Sequence, residues 1–463
     1  MDEIFREWDG QETPGCAVGV VAGGDLAFSR GYGMANLEYG VRIQPDSVFH
    51  VASVSKQFTA WCVCLLGIDL EADARRWLPE LPASVTVRQM LAHTSGLRDQ
   101  WDLLSMAGWR ADDLKTNEDV LELVRGQRAL NFAPGSEHLY SNTGFTLAGI
   151  LVERVSGRSL REFARERIFG PLGMTRTHFH DDHREIVPGR AYGYEPGLKI
   201  SIPAFDTVGA TSLFTTVEDL AKWVTQIPAP LAEPVVPSYG LGLRLGTHGG
   251  MPTIGHSGAD AGYRSHVLWL PERELGVIVL CNLSTMKPGV LALRVAERWL
   301  GLAPLPDLPP AALPPGLYRN PETALARRIE GTEISDELGG HWTLREAGPG
   351  RYMYGDYGAE VEVTFDGALR EGSTVYSPVE PWKPDSVEVY AGAYTSTELG
   401  VTWELVAGGG ALIVRRRKFP DRILRPTAAG AFTDGRMHLV FRDGGLDVST
   451  VRVRRLAFTR ARP

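Results

Sequence analysis

A proline-rich break, more than any other feature, limits how this chain of 463 residues can fold. Residues 302–315 run from Leu302-Ala303-Pro304-Leu305-Pro306 to Leu313-Pro314-Pro315 and carry no apolar periodicity. Proline lacks an amide donor and fixes φ, so the stretch can continue neither a helix nor a central strand. It reads as a linker. The texture of the chain differs on its two sides. Before it, apolar strands at both ends enclose a helical middle. After it come short strands separated by Gly and Asp, with almost no helical pattern. A chain of this length exceeds one ordinary core. The expected bounds are 1–301 for the first domain, 302–315 for the linker, and 316–382 and 386–463 for two small antiparallel β-barrels.

In the first part, Cys16-Ala17-Val18-Gly19-Val20-Val21 and Leu26-Ala27-Phe28-Ser29 flank the turn residues Ala22-Gly23-Gly24-Asp25 and predict a strand pair. Residues 53–67 predict an apolar helix. Residues 85–175 predict further helices, broken at His93-Thr94-Ser95-Gly96 and at Pro134-Gly135. Thr215 and Glu218 stand in capping-box spacing ahead of another helix. Residues 265–270 and 276–282 then predict a hairpin turned at Pro271-Glu272-Arg273-Glu274. Strands at both ends with helices between them give an α/β fold, an antiparallel sheet flanked by helices with a helical subdomain. In the tail, Gly316-Leu317-Tyr318-Arg319 and Gly392-Ala393-Tyr394-Thr395 open two units of common pattern, divided at Pro381-Trp382-Lys383-Pro384. Trp342-Thr343-Leu344 and Trp403-Glu404-Leu405 fall at loosely similar places within them. Regularly spaced short strands predict barrels.

The formal net charge of −8 argues against nucleic acid or an anionic membrane as partner. Met1-Asp2-Glu3-Ile4-Phe5-Arg6 has neither the basic nor the apolar segment of a signal peptide. No apolar run long enough to span a membrane follows, so a cytoplasmic protein is expected. Cys16, Cys62, Cys64 and Cys281 sit among apolar residues, at spacings that suit neither a zinc knuckle nor a disulfide framework. Buried, reduced thiols are the expectation.

Reactive chemistry concentrates at three places. Ser53-Val54-Ser55-Lys56 opens the apolar helix, which puts Ser53 and Lys56 on one face. Ser53 then sits where free N–H groups and the helix dipole favour negative charge. A serine hydroxyl attacks only once a base removes its proton. Lysine can be that base if burial lowers its pKa, and no Asp or Glu lies between His50 and Ile68 to hold Lys56 charged. Tyr140-Ser141-Asn142 occupies a tight turn, from which Tyr140 can share a proton with Lys56 and Asn142 can orient a substrate amide. Gly255-His256-Ser257-Gly258-Ala259 leads into the strand at Ser265, and glycine lets backbone approach a ligand closely. The N–H groups of Ala259 and Ser53 would together make an oxyanion hole, with His256 near the substrate's polar end. Each piece alone has a plain alternative: a capped helix with a surface lysine, a packed turn tyrosine, a loop histidine.

Taken in order, Ser-x-x-Lys, Tyr-x-Asn and a strand-borne His-x-Gly resemble the serine β-lactamase and penicillin-binding-protein superfamily. The variant looks like its class C, esterase and D-aminopeptidase branch. His93-Thr94-Ser95-Gly96-Leu97, Pro171-Leu172-Gly173-Met174, the stretch from Leu213 to Leu220, and Val279-Leu280-Cys281-Asn282 match that branch too, so the resemblance covers about residues 10–300. It implies a β-lactamase/transpeptidase-like fold with catalytic Ser53, Lys56 and Tyr140. It also implies substrate contacts from Asn142, His256, Gly258 and Ala259, with no metal and no cofactor. Two departures stand out. The connection from Gly67 to Asp73 looks short, and Thr211-Ser212 stands where the family tends to have two glycines. The tail resembles that of bacterial D-aminopeptidases, in which two barrels (the second lipocalin-like) flank the active site and a loop of the last restricts entry. The resemblance implies small D-amino-acid amides or short peptides with a free N-terminus as substrates. Carboxylesterase, then β-lactamase or D,D-carboxypeptidase, are the alternatives. A homodimer is compatible with the chain, though nothing in it sets the oligomeric state.

One motif points elsewhere. His178-Phe179-His180-Asp181-Asp182-His183 fits His-x-His-x-Asp-His, whose imidazoles and carboxylate hold zinc in another class of hydrolase. There the motif follows a buried strand, whereas here it follows a helix exit at Gly173-Met174-Thr175-Arg176-Thr177, so a catalytic metal is the lesser reading. His248-Gly249-Gly250 and Tyr318-Arg319-Asn320 repeat two of the patterns out of context. Arg415-Arg416-Arg417-Lys418 reads as a solvated barrel face, or else as a contact for a peptide carboxylate. Because all the motif residues are present, a binding protein that has lost catalysis is disfavoured.

Overall fold

A computed structural model describes residues 1–461 apart from 304–307, 322–324, 337–340, 356–360, 373, 381, 383 and 416–419. Part of the linker, Pro381 and Lys383 of the divider, and the basic run beyond Arg415 lie outside the described residues. The chain forms two compact units. The first holds Met1–Leu97, Asp112–Val124 and Phe132–Leu305, and the second holds Arg98–Ala111, Arg125–Asn131 and Pro306–Pro463.

The first unit is built on an antiparallel sheet of six strands: β1 (Cys16–Ala22), β2 (Asp25–Tyr32), β3 (Arg244–His248), β4 (Met251–Asp260), β5 (Tyr263–Leu270) and β6 (Leu275–Cys281). Their order is β3-β4-β5-β6-β1-β2, so the strands from the two ends of the unit meet at the β1–β6 pair. Every residue of β6 is buried, as is β1 from Cys16 to Val21. This explains their unbroken apolar runs, because a strand covered on both faces has no polar side to alternate with. Helices α1 (Ser55–Leu65) and α2 (Asn142–Ser156) pack on one another. Helix α3 (Val217–Val224) packs on β1, β2 and β6, and α4 (Pro288–Leu300) on β5 and β6. Glycine at position 19 permits the α3 contact, since a Cβ there would stand 2.4 Å from Val217 Cγ1. Residues 85–175 hold shorter helices than the pattern suggests, and residues 127–141 hold none. The cap of α3 also differs from expectation. Thr215 ends the strand Leu213–Thr215, and it is Thr216 whose hydroxyl accepts from the N–H of Asp219. Both threonines have an acid three residues on, so spacing alone does not choose between them.

The four cysteines are free thiols, with Cys64 partly exposed and the others buried. Among the described residues no helix is long and apolar enough to cross a membrane.

In the second unit, nine strands from Gly316 to Val379 form a meander that nearly closes on itself. The following eight strands, from Gly392–Ser396 to Leu456–Arg460, close into a barrel. The two sets share a local device. Tyr318 Oη donates to the carbonyl of Pro314 at 2.8 Å, and Tyr394 Oη to that of Tyr390 at 3.0 Å. The tryptophans do not correspond: Trp342 lies on the fourth strand of its set and Trp403 on the second of the other. Segments 98–111 and 125–131 are tied to this unit by charge. Arg98, 4% exposed, donates to Glu398 at 2.8 Å and to the carbonyls of Arg454 and Arg455.

Candidate active site

Ser53 sits in a single 3-10 turn, Ala52–Val54, that feeds directly into α1. Ala52 before it has φ +47°, in the left-handed region that a side chain disfavours. The turn is held from three sides. The N–H of Val51 donates to the carbonyl of Leu213 at 2.9 Å, Ser55 Oγ accepts from the N–H of Leu213 at 3.0 Å, and Ser265 Oγ donates to the carbonyl of Val51 at 2.7 Å. These bonds hold Ala52 in a conformation it would not otherwise keep. The result is a half-buried Ser53 at the foot of a buried helix.

Lys56, one turn on, has no exposed surface. Its Nζ lies 2.9 Å from Ser53 Oγ, 2.9 Å from Asn142 Oδ1 and 2.7 Å from the carbonyl of Ala210. The Tyr140 ring centroid is 4.9 Å from the same nitrogen and that of Phe145 5.6 Å. The structure therefore brings Ser53, Lys56, Tyr140 and Asn142 together around one nitrogen. The Ala210 carbonyl was not foreseen. It precedes Thr211-Ser212, where glycines were expected, and Ser212 indeed adopts φ +73°. Its hydroxyl donates to the carbonyl of Thr207 at 2.6 Å, which supports that backbone.

Strand β4 runs past the turn. Gly258 has to be glycine here, because a Cβ would stand 2.2 Å from the carbonyl of Val51 and 2.4 Å from Ser265 Oγ. This close approach brings the segment carrying Ala259, which is exposed, alongside the Ser53 turn. Next in the chain, Asp260 accepts from Thr211 Oγ1 and lies 3.1 Å from His50 Nε2.

His256 behaves differently from expectation. It is 2% exposed and both ring nitrogens are committed within the protein. Nδ1 is 2.6 Å from the carbonyl of Ser257, and Nε2 is 2.9 Å from Tyr239 Oη, which in turn is 3.0 Å from His93 Nε2. His93 Nδ1 accepts from the N–H of Ser141 at 3.1 Å. That last bond sets the direction of the whole chain. His93 carries its proton on Nε2 and gives it to Tyr239, and Tyr239 gives its own to His256 Nε2. Nδ1–H of His256 goes to Ser257. The arrangement requires both imidazoles to be neutral. Burial first, then charges that include Lys56, holds both well below the ordinary histidine value. Burial likewise pushes the Tyr239 hydroxyl well up. His256 is thus an anchor for β4 rather than a free contact for substrate. Tyr239 and His93 were missed as site residues. The available signals were Tyr239-Gly240-Leu241-Gly242 just ahead of β3, and the histidine of a stretch already noted.

The metal-like motif does not form one centre. His178, His180 and Glu185 gather in one group, and His183 turns away to Asp206, 3.1 Å from its Nδ1. His248 pairs with Glu297 at 2.9 Å, and Tyr318 belongs to a core of the second unit.

The Beta-lactamase family model matches residues 1–298, and the chain belongs to that family. It is 29% identical over 346 residues to the D-aminopeptidase of Gluconobacter oxydans (strain 621H), spanning 68% of this chain and 65% of that protein. It is 27% identical over 441 residues to the D-aminopeptidase of Brucella melitensis biotype 1 (strain ATCC 23456 / CCUG 17765 / NCTC 10094 / 16M), spanning 86% of this chain and 82% of that one. The octameric penicillin-binding protein homologue from Pyrococcus abyssi shares the fold, with a TM-score of 0.58 at 22% identity over 81% of this chain and 97% of that one. So does D-amino acid amidase from Ochrobactrum anthropi SV3, at 0.51 and 24% over 58% and 85%. The two relatives named D-aminopeptidase are thus similar to this chain over 346 and 441 residues.

Proposed function

We propose that the protein is a serine hydrolase that forms an acyl-enzyme on Ser53 and acts on small D-amino-acid amides or short peptides, as a D-aminopeptidase or amidase. The observation that carries this is the Lys56 nitrogen 2.9 Å from Ser53 Oγ. Two of its directions are taken by oxygens that have no proton to give, Asn142 Oδ1 and the Ala210 carbonyl. As a neutral amine Lys56 would accept the Ser53 proton on its lone pair. Lys56 then takes the Ser53 proton as Oγ attacks the carbonyl. The N–H groups of Ser53 and Ala259 receive the oxyanion, Tyr140 with Lys56 returns a proton to the amine as its bond to the acyl carbon breaks, and the same pair then takes a proton from the water that hydrolyses the acyl-enzyme and frees Ser53. Asn142 holds both the base and a substrate amide. Gly258 lets Ala259 approach, and His256 fixes the strand. The substrate class is supported by the D-aminopeptidase relatives. A homodimer and a cytoplasmic site of action belong to the same proposal. Assembly is supported by the octameric homologue, and sedimentation would test it.

Ser53→Ala is expected to abolish both turnover of D-alanyl p-nitroanilide and covalent labelling by a serine-directed phosphonate. Labelling that persists in the variant overturns the nucleophile. A panel of D-alanyl p-nitroanilide, p-nitrophenyl acetate and nitrocefin tests the substrate, and fastest turnover of either of the latter two overturns the D-amino-acid assignment.

A further inference from the structure

Two imidazoles and a carboxylate converge at a place the hydrolytic chemistry does not use. The short strand His178–Phe179 pairs with Leu213–Thr215. His178 and His180 stand two residues apart, and their rings lie against the same side chain, Phe214, at centroid distances of 5.9 and 4.9 Å. Their own centroids are 5.7 Å apart. Nε2 of His178 and Nδ1 of His180 are both buried, and neither has a hydrogen-bond partner. His180 as a residue is 5% exposed. Glu185 closes the group. Its Oε2 is 3.9 Å from His180 Nδ1, too far for a hydrogen bond, and the three ligand atoms all lie within 4.8 Å of one another.

We infer that His178 Nε2, His180 Nδ1 and the Glu185 carboxylate form a binding site for one zinc ion, separate from Ser53. Zinc–nitrogen and zinc–oxygen bonds of about 2.0–2.2 Å place tetrahedral ligands about 3.4 Å apart, so the 3.9 Å separation closes with a small side-chain adjustment. Arg161 supplies the support. It grips both oxygens of Glu185, at 2.7 and 2.5 Å, and reaches Asp181 at 2.9 Å. Two carboxylates against one guanidinium leave a net negative charge beside the nitrogens, and the grip orients Glu185 as outer partners of metal ligands do. Two imidazoles and one carboxylate, with a fourth position for water, suit zinc rather than calcium or magnesium. His183 takes no part because Asp206 holds it, so the site is mononuclear. Its neighbourhood reaches the base indirectly. The N–H of His180 donates to the Ser212 carbonyl at 2.8 Å, two residues beyond the carbonyl that receives Lys56.

The test uses the full chain, stripped with a chelator and dialysed. Titration with zinc against a chromophoric chelator should give one ion per chain, and cobalt substitution should give the visible bands of a tetrahedral site. His178→Ala and His180→Ala should each weaken binding by 100-fold or more. Glu185→Gln, at a side chain 38% exposed and tolerant of change, should weaken it about tenfold. His183→Ala and Cys64→Ser should leave it intact. Stripping should leave phosphonate labelling of Ser53 in place, which keeps this inference separate from the proposed hydrolysis. No binding, binding unaffected by the histidine variants, or a zinc-soaked crystal with only a water between the nitrogens would each overturn it.

Discussion

Lys56 in the first unit and Arg327 in the second are both cations largely withdrawn from water, and the partners given to them differ. Arg327 lies on the second strand of the nine-stranded meander, Ala326–Glu330, and forks both oxygens of Glu371, at 2.7 and 2.8 Å, with Tyr354 and Tyr376 donating to the same carboxylate. Its Cζ lies 4.7 Å over the Tyr376 ring. Burial opposes the Arg327 charge, but Glu371 and the tyrosines outweigh it and hold the guanidinium firmly charged. Lys56 is gripped as closely, yet Ser53, Asn142 and the Ala210 carbonyl bring no negative charge to the hydrogen bonds they make with it. A salt-bridged cation is a structural member. Lys56 instead stands 2.9 Å from a hydroxyl, that of Ser53, within the reach a proton acceptor needs.

Replacing each cation's environment would separate the two roles. Lys56→Met should lower kcat/KM for D-alanyl p-nitroanilide by about 10³-fold or more while the fold persists, at a cost of about 1–3 kcal/mol for the Asn142 and Ala210 oxygens that lose this donor. A large loss of stability would mean Lys56 is structural after all. Glu371→Gln should do the reverse. It leaves Arg327 unpaired, costs about 3 kcal/mol by chemical denaturation, and spares the hydrolysis measured on the folded fraction. Tyr239→Phe is a subtler probe. It deletes the hydroxyl between His93 and His256, so kcat should fall about tenfold with KM nearly unchanged, and the buried His256 nitrogen loses a bond worth about 1 kcal/mol. Loss of stability without loss of rate would confine the relay to a packing role.

A further effect is in pH. Burial pushes His266 down to about 4 and holds His93 and His256 well down too. Unfolded histidines bind protons near pH 6.5 and these folded ones do not, so the unfolded state gains protons first as pH falls. The His266 contribution is complete above about pH 6.5 and is lost progressively toward about pH 4, at about 1.4 kcal/mol per unit, and those of His93 and His256 are lost in the same direction as pH falls. Hydrogen exchange of β4 and β5 amides between pH 7 and 5, corrected for intrinsic rate, should show protection falling with pH. Constant protection would contradict the neutral tautomers assigned to the relay.

The closeness of Ser53 and Lys56 was legible because they are three residues apart where a helix begins, although Ser53 itself lies in the 3-10 turn ahead of α1. Tyr140 and Asn142 were legible through a motif. The sheet followed from the apolar runs that became β1 and β6. The strained turn at Ala52, the Ala210 carbonyl and Tyr239 were not legible. Nothing in a sequence records which backbone oxygen a distant loop will present, and a lone tyrosine between Ser238 and Gly240 has no periodicity to betray it. His256 was read correctly as part of the strand but not in its orientation, which depends on Tyr239. The short helices in 85–175 and the one-residue shift of the α3 cap are ordinary cases of tertiary context deciding between equal local signals.

The way Lys56 is held also sets the order in which the molecule must assemble. Ser53 and Lys56 are close in sequence, but Asn142 and Ala210 come from 86 and 154 residues away, and the His93–Tyr239 bond spans 146. Closing such loops is slow compared with forming a helix. The turn that carries Ser53 is itself held by Leu213 and Ser265, so a refolding chain can regain helical signal before it regains this centre, and the recovery of helical signal and of phosphonate labelling mark two different moments in folding.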